Sequence, residues 1–391
     1  MSSATSAPRY EPFGWHHWPE HFFMSYQFRR ALGETQEGGG AVSEVFLAAS
    51  RMKPGDAESW HAEWLRIAEH NDKRGDAEEA AGHIRTAMNC WLRAADYYRS
   101  AEFWLLPHDP RRLATFDKCE HASRKWLRYV GGEAVQIPYE RGVAMPAYFV
   151  KPRNVAKPPV LISFGGLDSF KDELWFMTGR GAVQRGIAVL MVDGPGQGGT
   201  LRRHGIATRY DYEVPVGCCI DFLSERKDVD ASKIAVSGSS MGGYYAARAA
   251  SKEHRLAACI SHGAIWDIEQ RFRDRGENHA LANHMKWVFG VNSMAEAIAR
   301  AKPFKLEGVL EEMRCPYLVL HGGHDVLGVE NARTVYEYAK RKGVDATLRL
   351  TSAEETGAEH CQHDNPTLGQ ELMLDWLADV LGVDQRSLDF Y

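Results

Sequence analysis

The strongest structural signal in the chain is KIAVSGSSMGGYYAARAA, residues 233–250. An apolar run ends in Gly238-Ser239-Ser240-Met241-Gly242, and a helix-favouring segment follows at once. This is the G-x-S-x-G pattern of a nucleophile elbow in its required strand–turn–helix context. Glycine is needed on both sides of the strained serine because a Cβ there would collide with the strand or the helix. We therefore predict that Ser240 is a nucleophile and that the backbone N–H of Met241 faces the developing anion.

Short apolar runs on both sides of this elbow predict a sheet. Segments with a helical pattern, such as residues 211–226 and 242–253, separate them, and this alternation is typical of a mostly parallel sheet covered on both faces. Two further segments, 133–139 and 144–151, flank the turn signal Glu140-Arg141-Gly142 and predict an antiparallel hairpin. The predicted buried strands are 159–164, 187–193, 233–237, 257–261 and 316–321. The predicted fold class is α/β.

A serine hydroxyl needs a base and an orienting acid, which follow an elbow of this kind in the chain order Ser…Asp…His. Asp325 stands in PYLVLHGGHDVLG (316–328), in a loop directly after a strong strand. Parallel sheets carry their sites in such loops, so Asp325 is the predicted acid. The segment ETGAEHCQHDNP (355–366) offers two histidines. His360 is the predicted base, and His363 is the alternative.

Two glycine-rich segments are expected near the nucleophile. ISFGGLDSFKDE (162–173) follows a predicted strand, and we expect a second oxyanion donor at the backbone N–H of Gly166 or Leu167. A simple turn is the alternative for this segment. DGPGQGGT (193–200) lacks the G-x-G-x-x-G spacing before a helix, and the chain contains no G-x-x-x-x-G-K-[ST]. It is therefore predicted to border the active site and not to bind a nucleotide.

Residues 1–130 have a different, helical pattern. Apolar side chains recur there at helical spacing, and no fixed-period repeat is visible. Asp56 and Asp76 stand where helix N-caps are expected, the second directly after Gly75, which is expected to end the preceding helix. This segment is predicted to form a helical cap module.

Length and composition bound the remaining organisation. The 391 residues suffice for a large catalytic domain over 131–391, with a small helical insertion at about 265–312, in addition to the cap module. The net charge of −5, with both signs interspersed, favours neither a nucleic-acid nor a membrane partner. Seven scattered cysteines without a CxxC pair favour neither zinc nor disulfides, and the first residues do not resemble a secretory signal. A cytoplasmic location is therefore expected.

Together these motifs resemble one branch of the α/β-hydrolases. The branch contains 2,6-dihydroxypseudooxynicotine hydrolase, fungal hydrolases that shorten polyketides, and FrsA-type proteins. The likeness spans nearly the whole chain and rests on GGLDSFKDE, DGPGQGGT, GSSMGG, HGGHD and EHC. It implies the α/β-hydrolase fold with an N-terminal helical cap over the sheet's C-terminal edge, a homodimer, and a reaction that needs no metal or organic cofactor.

The resemblance also implies the chemistry. It carries over Ser240, Asp325 and His360 as a triad, and it implies cleavage of a carbon–carbon bond beside a ketone, in a 1,3-diketone or an acyl-phenol. The leaving carbanion must then be protonated by His360 or by another acid. Asp267 and Glu269, which follow a predicted strand, are candidates for that acid. Solvated carboxylates of the insertion are the alternative explanation for both.

The predicted function is thus a serine hydrolase that cleaves a small carbonyl metabolite, aromatic or polyketide-like, through an acyl-enzyme. An ordinary carboxylesterase or lactonase with the same triad is one alternative. Transfer of the acyl group to an acceptor other than water is another. An alternative of a different class is a non-catalytic binding or regulatory protein that uses its helical N-terminal half to dock a partner.

Overall fold

A computed structural model describes residues 16–153 and 155–388, and an eight-stranded sheet lies at its centre. The strands are β1 (Glu133–Pro138), β2 (Ala144–Val150), β3 (Val160–Phe164), β4 (Ala188–Val192), β5 (Ile234–Ser239), β6 (Ala258–His262), β7 (Tyr317–Gly322) and β8 (Ala346–Thr351). Their order across the sheet is β1-β2-β4-β3-β5-β6-β7-β8. The pairs β1–β2 and β2–β4 are antiparallel, and the other pairs are parallel. The predicted, mostly parallel α/β sheet is confirmed.

Helices cover both faces of this sheet, and the interior strands are consequently buried along their whole length. Every residue of β3 and β4 is buried, which explains why these segments are continuous apolar runs and not alternating patterns. The helices that follow β3 in the chain are α6 (Arg180–Gln184), α7 (Gly198–His204), α8 (Glu213–Ser224), α9 (Met241–Lys252), α10 (Ile268–Arg275), α11 (Ala282–Phe289), α12 (Met294–Ala301), α13 (Val329–Arg341) and α14 (Pro366–Leu381). Three of them, α10 to α12, lie between β6 and β7.

The N-terminal part of the chain is helical, as its pattern predicts. Its helices are α1 (Phe22–Glu34), α2 (Val42–Ala49), α3 (Ala57–Ala80), α4 (Ile84–Glu102) and α5 (Pro110–Tyr129). The side chain of Asp56 accepts hydrogen bonds from the backbone N–H groups of Glu58 and Ser59, which confirms the first predicted N-cap.

The second predicted N-cap is wrong, because α3 continues through Gly75 and Asp76. A Cβ on Gly75 would lie 2.5 Å from Nε1 of Trp91, so the glycine lets α4 approach α3 closely. The same indole Nε1–H donates a hydrogen bond of 2.9 Å to Asp76 Oδ1. Both residues therefore serve helix–helix packing and do not mark a helix boundary.

The N-terminal helices pack directly against the sheet domain. Trp91 of α4 and Trp126 of α5 belong to one apolar core with Trp175 and with residues of β2, β4 and α14. A second apolar core lies within the helices and includes Phe170, from the segment after β3. The segment after β3 thus packs into both cores, through Phe170 and through Trp175.

None of the helices in the described ranges combines the length and the apolar character that crossing a membrane requires. The cytoplasmic location and the homodimer stay predictions.

Candidate active site

Ser240 lies in the sharp turn between β5 and α9. Its φ of 58° and ψ of −119° are unusual for a residue with a side chain, as expected of a nucleophile elbow. The Ser240 N–H donates a 2.7 Å hydrogen bond to the carbonyl of His262, at the end of the neighbouring strand β6. A Cβ on Gly238 would lie 1.9 Å from the carbonyl oxygen of Gly242, so the turn closes only with glycine at position 238.

The structure brings His360 and Asp325 together as a buried pair. His360 Nδ1 lies 2.7 Å from Asp325 Oδ1 and 2.9 Å from Oδ2. The backbone N–H of Leu327 donates a further 2.7 Å hydrogen bond to Oδ1. Burial opposes charge on both groups, but their mutual attraction outweighs it. The pKa of Asp325 is therefore lowered well below its usual value, and the pKa of His360 is raised.

The same histidine adjoins the nucleophile across Gly263. A Cβ on Gly263 would lie 3.4 Å from Cε1 of His360 and 3.5 Å from the backbone nitrogen of Ser240. The serine, the histidine and the aspartate, which are far apart in sequence, thus converge at the carboxyl edge of β5, β6 and β7. The order Ser…Asp…His along the chain is that of the predicted arrangement.

One carbonyl positions both the elbow and the histidine segment. The oxygen of His262 accepts the Ser240 N–H and, at 3.3 Å, the thiol of Cys361. Cys361 and Gln362 have φ values of 52° and 49°, so the backbone turns sharply directly after His360. The His262 ring lies 2.5 Å from Gln362 Oε1, and burial lowers the pKa of His262 to about 4, which keeps the ring neutral.

The glycine-rich segment after β3 lies against the nucleophile. A Cβ on Gly166 would lie 3.2 Å from Ser240 Cβ and 3.6 Å from its Oγ. The neighbouring carbonyl of Gly165 packs so closely on α9 that a Cβ on Gly242 would be 2.5 Å from it. Gly166 therefore lies directly beside Ser240, and the role of Gly166 or Leu167 as a second oxyanion donor stays a prediction.

Gln197, a residue that the sequence did not single out, holds this segment in place. Its buried side-chain amide donates to the carbonyl of Gly165 at 2.7 Å and to that of Gly166 at 2.9 Å. Gln197 belongs to DGPGQGGT, so this motif borders the site, as predicted, through a side chain that clamps the neighbouring loop. The only indication of this role in the sequence is that Gln197 is a large polar residue inside a glycine-rich motif.

The remaining candidates have other partners. His363 is buried but does not contact Asp325, and its ring lies 5.8 Å from that of Tyr26. The carboxylate of Asp267 accepts the backbone N–H of Gln270 and so caps α10. Glu269 forms an i,i+4 ion pair with Arg273. The structure thus does not bring any of these three candidates to the His360–Asp325 pair.

Buried charges fasten the N-terminal helices to the loops of the site. Lys171 Nζ lies 3.1 Å from Asp172 and 3.2 Å from Asp193, and it also contacts Glu120 of α5. Burial lowers the pKa of Lys171, but these carboxylates raise it well above its usual value. The cluster connects α5 with both glycine-rich segments.

Helix α1 contacts the histidine segment itself. The hydroxyl of Tyr26 donates to the carbonyl of His360 at 3.4 Å, and Arg29 Nη1 lies 2.6 Å from Glu359 Oε1. Helix α1 therefore lies directly beside the segment that carries the predicted base. Among the described residues there is no group of three or more histidine, cysteine or acidic side chains that could hold a metal ion.

Comparison with proteins of known sequence places this fold and geometry in a family. Residues 170–384 match the prolyl oligopeptidase family, peptidase S9. The 20-hydroxy-prefusarin hydrolase of Gibberella moniliformis is 33% identical over 340 residues, which cover 76% of this chain and 81% of that protein. An α/β hydrolase of Xenoacremonium sinensis is 31% identical over 349 residues, or 77% of this chain and 82% of that one.

Solved structures give the same result. The crystal structure of 2,6-dihydroxy-pseudo-oxynicotine hydrolase superimposes with a TM-score of 0.76 at 28% identity, covering 90% of this chain and 95% of the other. AbyA5 shares the fold, with a TM-score of 0.71 at 19% identity. The resemblance inferred from the sequence motifs is confirmed. The chain is an α/β hydrolase and belongs to the prolyl oligopeptidase family.

Proposed function

We propose that this α/β hydrolase uses Ser240 as a nucleophile to cleave a small carbonyl metabolite through an acyl-enzyme. One observation carries the proposal: His360 is paired with the buried carboxylate of Asp325 and adjoins the strained elbow that presents Ser240. A carboxylate on Nδ1 holds the proton on that nitrogen, so Nε2 is the basic nitrogen that takes the serine proton, and the carboxylate stabilises the imidazolium that results.

The reaction begins when Ser240 Oγ attacks the substrate carbonyl carbon and its proton passes to His360. The oxyanion is held by backbone N–H groups of Met241 and of Gly166 or Leu167. The bond to the leaving group then breaks, and His360 returns the proton to that group. Water next attacks the acyl-enzyme with His360 as the base, which releases a carboxylic acid and restores the serine.

We propose further that the bond cleaved is a carbon–carbon bond of a 1,3-dicarbonyl compound or an acyl-phenol. Support comes from the likeness to 2,6-dihydroxy-pseudo-oxynicotine hydrolase over nearly the full length, because the resemblance implies cleavage beside a ketone. Since Asp267 and Glu269 have other partners, His360 is the acid that protonates the departing carbanion. A carboxylesterase with the same residues remains the second candidate.

Intact-mass spectrometry after exposure to a fluorophosphonate tests the nucleophile. We expect a single adduct on the wild-type protein, none on Ser240→Ala, and severely slowed labelling of His360→Ala. Ser251→Ala is the matched control, because this buried serine of α9 only donates to the carbonyl of Ala247. A wild-type protein that stays unlabelled while a control hydrolase reacts would exclude the catalytic proposal and favour a binding protein.

Product analysis separates the two candidate substrates. In deuterated, ¹⁸O-enriched water, cleavage of an acyl-phenol or a 1,3-diketone yields an ¹⁸O-labelled acid and a second product with a new C–D bond. Ester cleavage yields the same acid and an alcohol without a C–D bond. Turnover of esters alone would reject the carbon–carbon proposal and leave the serine mechanism intact.

A further inference from the structure

Helix α10 presents two arginines beside the proposed catalytic pair. Arg271 and Arg275 are one helical turn apart and therefore share a face of the helix. The guanidinium of Arg271 donates to the backbone carbonyls of Val326 and Leu327, in the loop that begins at Asp325. These contacts fix the face of α10 against the loop that carries the proposed catalytic acid.

The positive charge of this face is poorly compensated. Arg271 Nε is buried without a hydrogen-bond acceptor, and Arg275, half-buried, has no ionic or hydrogen-bond partner among the described residues. The third arginine of α10 differs, since Arg273 is exposed and forms an ion pair with Glu269. Asp325 attracts both arginines across space but makes no direct hydrogen bond to either, and its oxygens accept from His360 and from the N–H of Leu327.

The ionisation of neighbouring groups agrees with an excess of positive charge. Burial and the charge of Arg271 lower the pKa of Arg275 to about 10, against an opposing effect of Asp325. Burial and the charges of Arg275 and Arg271 lower the pKa of His279 to about 4. His279 is therefore neutral near pH 7, whereas both arginines remain charged.

Helix α1 links Arg271, Arg275 and His279, here called the arginine cluster, to the proposed catalytic histidine. The ring of His279 lies 4.9 Å from that of Phe23, and Phe23 is one helical turn before Tyr26. Tyr26 in turn donates to the carbonyl of His360. The arginine face is thus tied to the His360–Asp325 pair from two sides, through α1 and through the loop after β7.

Space for a ligand adjoins the cluster. Phe23 lines a cavity of about 350 Å³ together with Trp60, Trp104 and Ala280, the residue after His279. A small acyl chain fits within such a volume. Phe22 and Met24 add to its apolar wall, whereas the side chains of Glu20 and Asp56 also line it and neither arginine does. The cavity would therefore take the apolar part of a ligand, and a carboxylate on that ligand would be repelled from its acidic side chains and lie outside it, toward the arginines.

We propose that Arg275, supported by Arg271, binds a carboxylate on the acyl part of the substrate, so that the preferred substrate is an acidic carbonyl compound. This inference rests on the proposed function. A half-buried guanidinium without a partner suits a planar carboxylate, to which it donates two parallel hydrogen bonds. Substrate binding would compensate a charge that the folded protein leaves unpaired.

Two para-nitrophenyl esters with acyl chains of equal length test the proposal. Mono-para-nitrophenyl glutarate carries a terminal carboxylate, and para-nitrophenyl pentanoate does not. We expect wild-type kcat/KM to favour the glutarate ester at least tenfold. Arg275→Gln should lower kcat/KM for the glutarate ester at least tenfold and leave the pentanoate ester nearly unchanged. Arg273→Gln is the matched control on the same helix and should preserve the preference.

Equal use of both esters by the wild-type protein, or an equal loss on both in Arg275→Gln, would overturn the inference. Calorimetric titration of Ser240→Ala with each ester separates it from the proposed function, because binding does not require turnover. Tighter binding of the glutarate ester, lost in the double variant Ser240→Ala/Arg275→Gln, supports the carboxylate site even if the wild-type protein hydrolyses neither ester. Equal binding of the two esters to Ser240→Ala would reject the site.

Discussion

Replacing Gln197 with methionine tests how the proposed oxyanion loop is held. Methionine has a similar volume and fills the same buried space, but it cannot donate a hydrogen bond. The change removes the bonds of 2.7 Å and 2.9 Å to the carbonyls of Gly165 and Gly166 and leaves both oxygens without this donor. The backbone N–H of Gly166 or Leu167 then loses its fixed position beside Ser240.

The structure sets the expected magnitude. Each of the two hydrogen bonds contributes about 1 kcal/mol net, so the held conformation of the loop loses about 2 kcal/mol. Since about 1.4 kcal/mol corresponds to a tenfold change, the equilibrium constant between the held loop and its displaced conformations falls about 30-fold, and the competent population falls as much where these two bonds supply most of the preference. Complete loss of one oxyanion donor costs about 100- to 1,000-fold in kcat, which is the upper limit. We therefore expect kcat about 30-fold below wild type with KM little changed, because the donor acts mainly in the transition state.

The assay compares kcat, KM and the free energy of unfolding in urea for Gln197→Met and for Gln370→Met. Gln370 is also buried and donates one 2.8 Å hydrogen bond, to the carbonyl of Phe176 and not to a carbonyl of the proposed oxyanion loop. The control should lose stability and keep its kcat. If Gln197→Met unfolds more easily but turns over at the wild-type rate, the clamp is only structural and our reasoning about the loop is wrong.

Three further predictions follow from the same contacts. Catalysis needs neutral His360, and Asp325 raises the pKa of this histidine, so kcat/KM should increase with pH through a pKa above the usual 6.5. In Asp325→Asn, a pH–rate profile should show this increase at lower pH, and the rate should be reduced by up to about 10,000-fold. Lys171→Met leaves buried carboxylates unpaired, so chemical denaturation should show a loss of about 3–5 kcal/mol, whereas an unchanged midpoint would contradict an ionised cluster. Gly238→Ala places a Cβ 1.9 Å from the carbonyl of Gly242 and should cost more than about 3 kcal/mol, visible as lost soluble expression, while a folded variant with wild-type stability would refute the steric argument.

Local sequence signals predicted the sheet and the elbow because both depend on neighbouring residues. A strand that is buried on both faces must be a continuous apolar run, and an elbow needs glycine within two positions of the serine. The N-cap at Asp56 was predictable for the same reason, since its acceptor and donors lie within three residues. The pairing of His360 with Asp325 followed from chain order, although the choice over His363 was open.

The incorrect and missing assignments all depend on residues distant in sequence. Gly75 has the sequence pattern of a helix end, but its actual role is to make room for Trp91 of the next helix. Which of the two histidine rings meets Asp325 depends on a contact between residues 35 positions apart, which no local pattern indicates. The side chain of Gln197 bonds to the loop after β3, and Arg271 of α10 bonds to the loop after β7. Neither role can be predicted from the residues next to it in the sequence.

The charged contacts between the N-terminal helices and the sheet domain explain how these helices can influence substrate choice. Burying Lys171 and its carboxylates costs desolvation energy that their attraction only repays in a well-defined geometry. Such a cluster therefore adds little to the free energy of folding, and its main effect is to fix the position of the helices relative to the sheet. Helix α1 has a buried ion pair of its own with the segment that contains Lys171, between Arg30 and Glu173 at 2.6 Å. This pair helps to keep Tyr26 on the His360 segment and Phe23 on His279. The strands thus carry the proposed chemistry, while the helices around them set the shape and charge that a substrate must match.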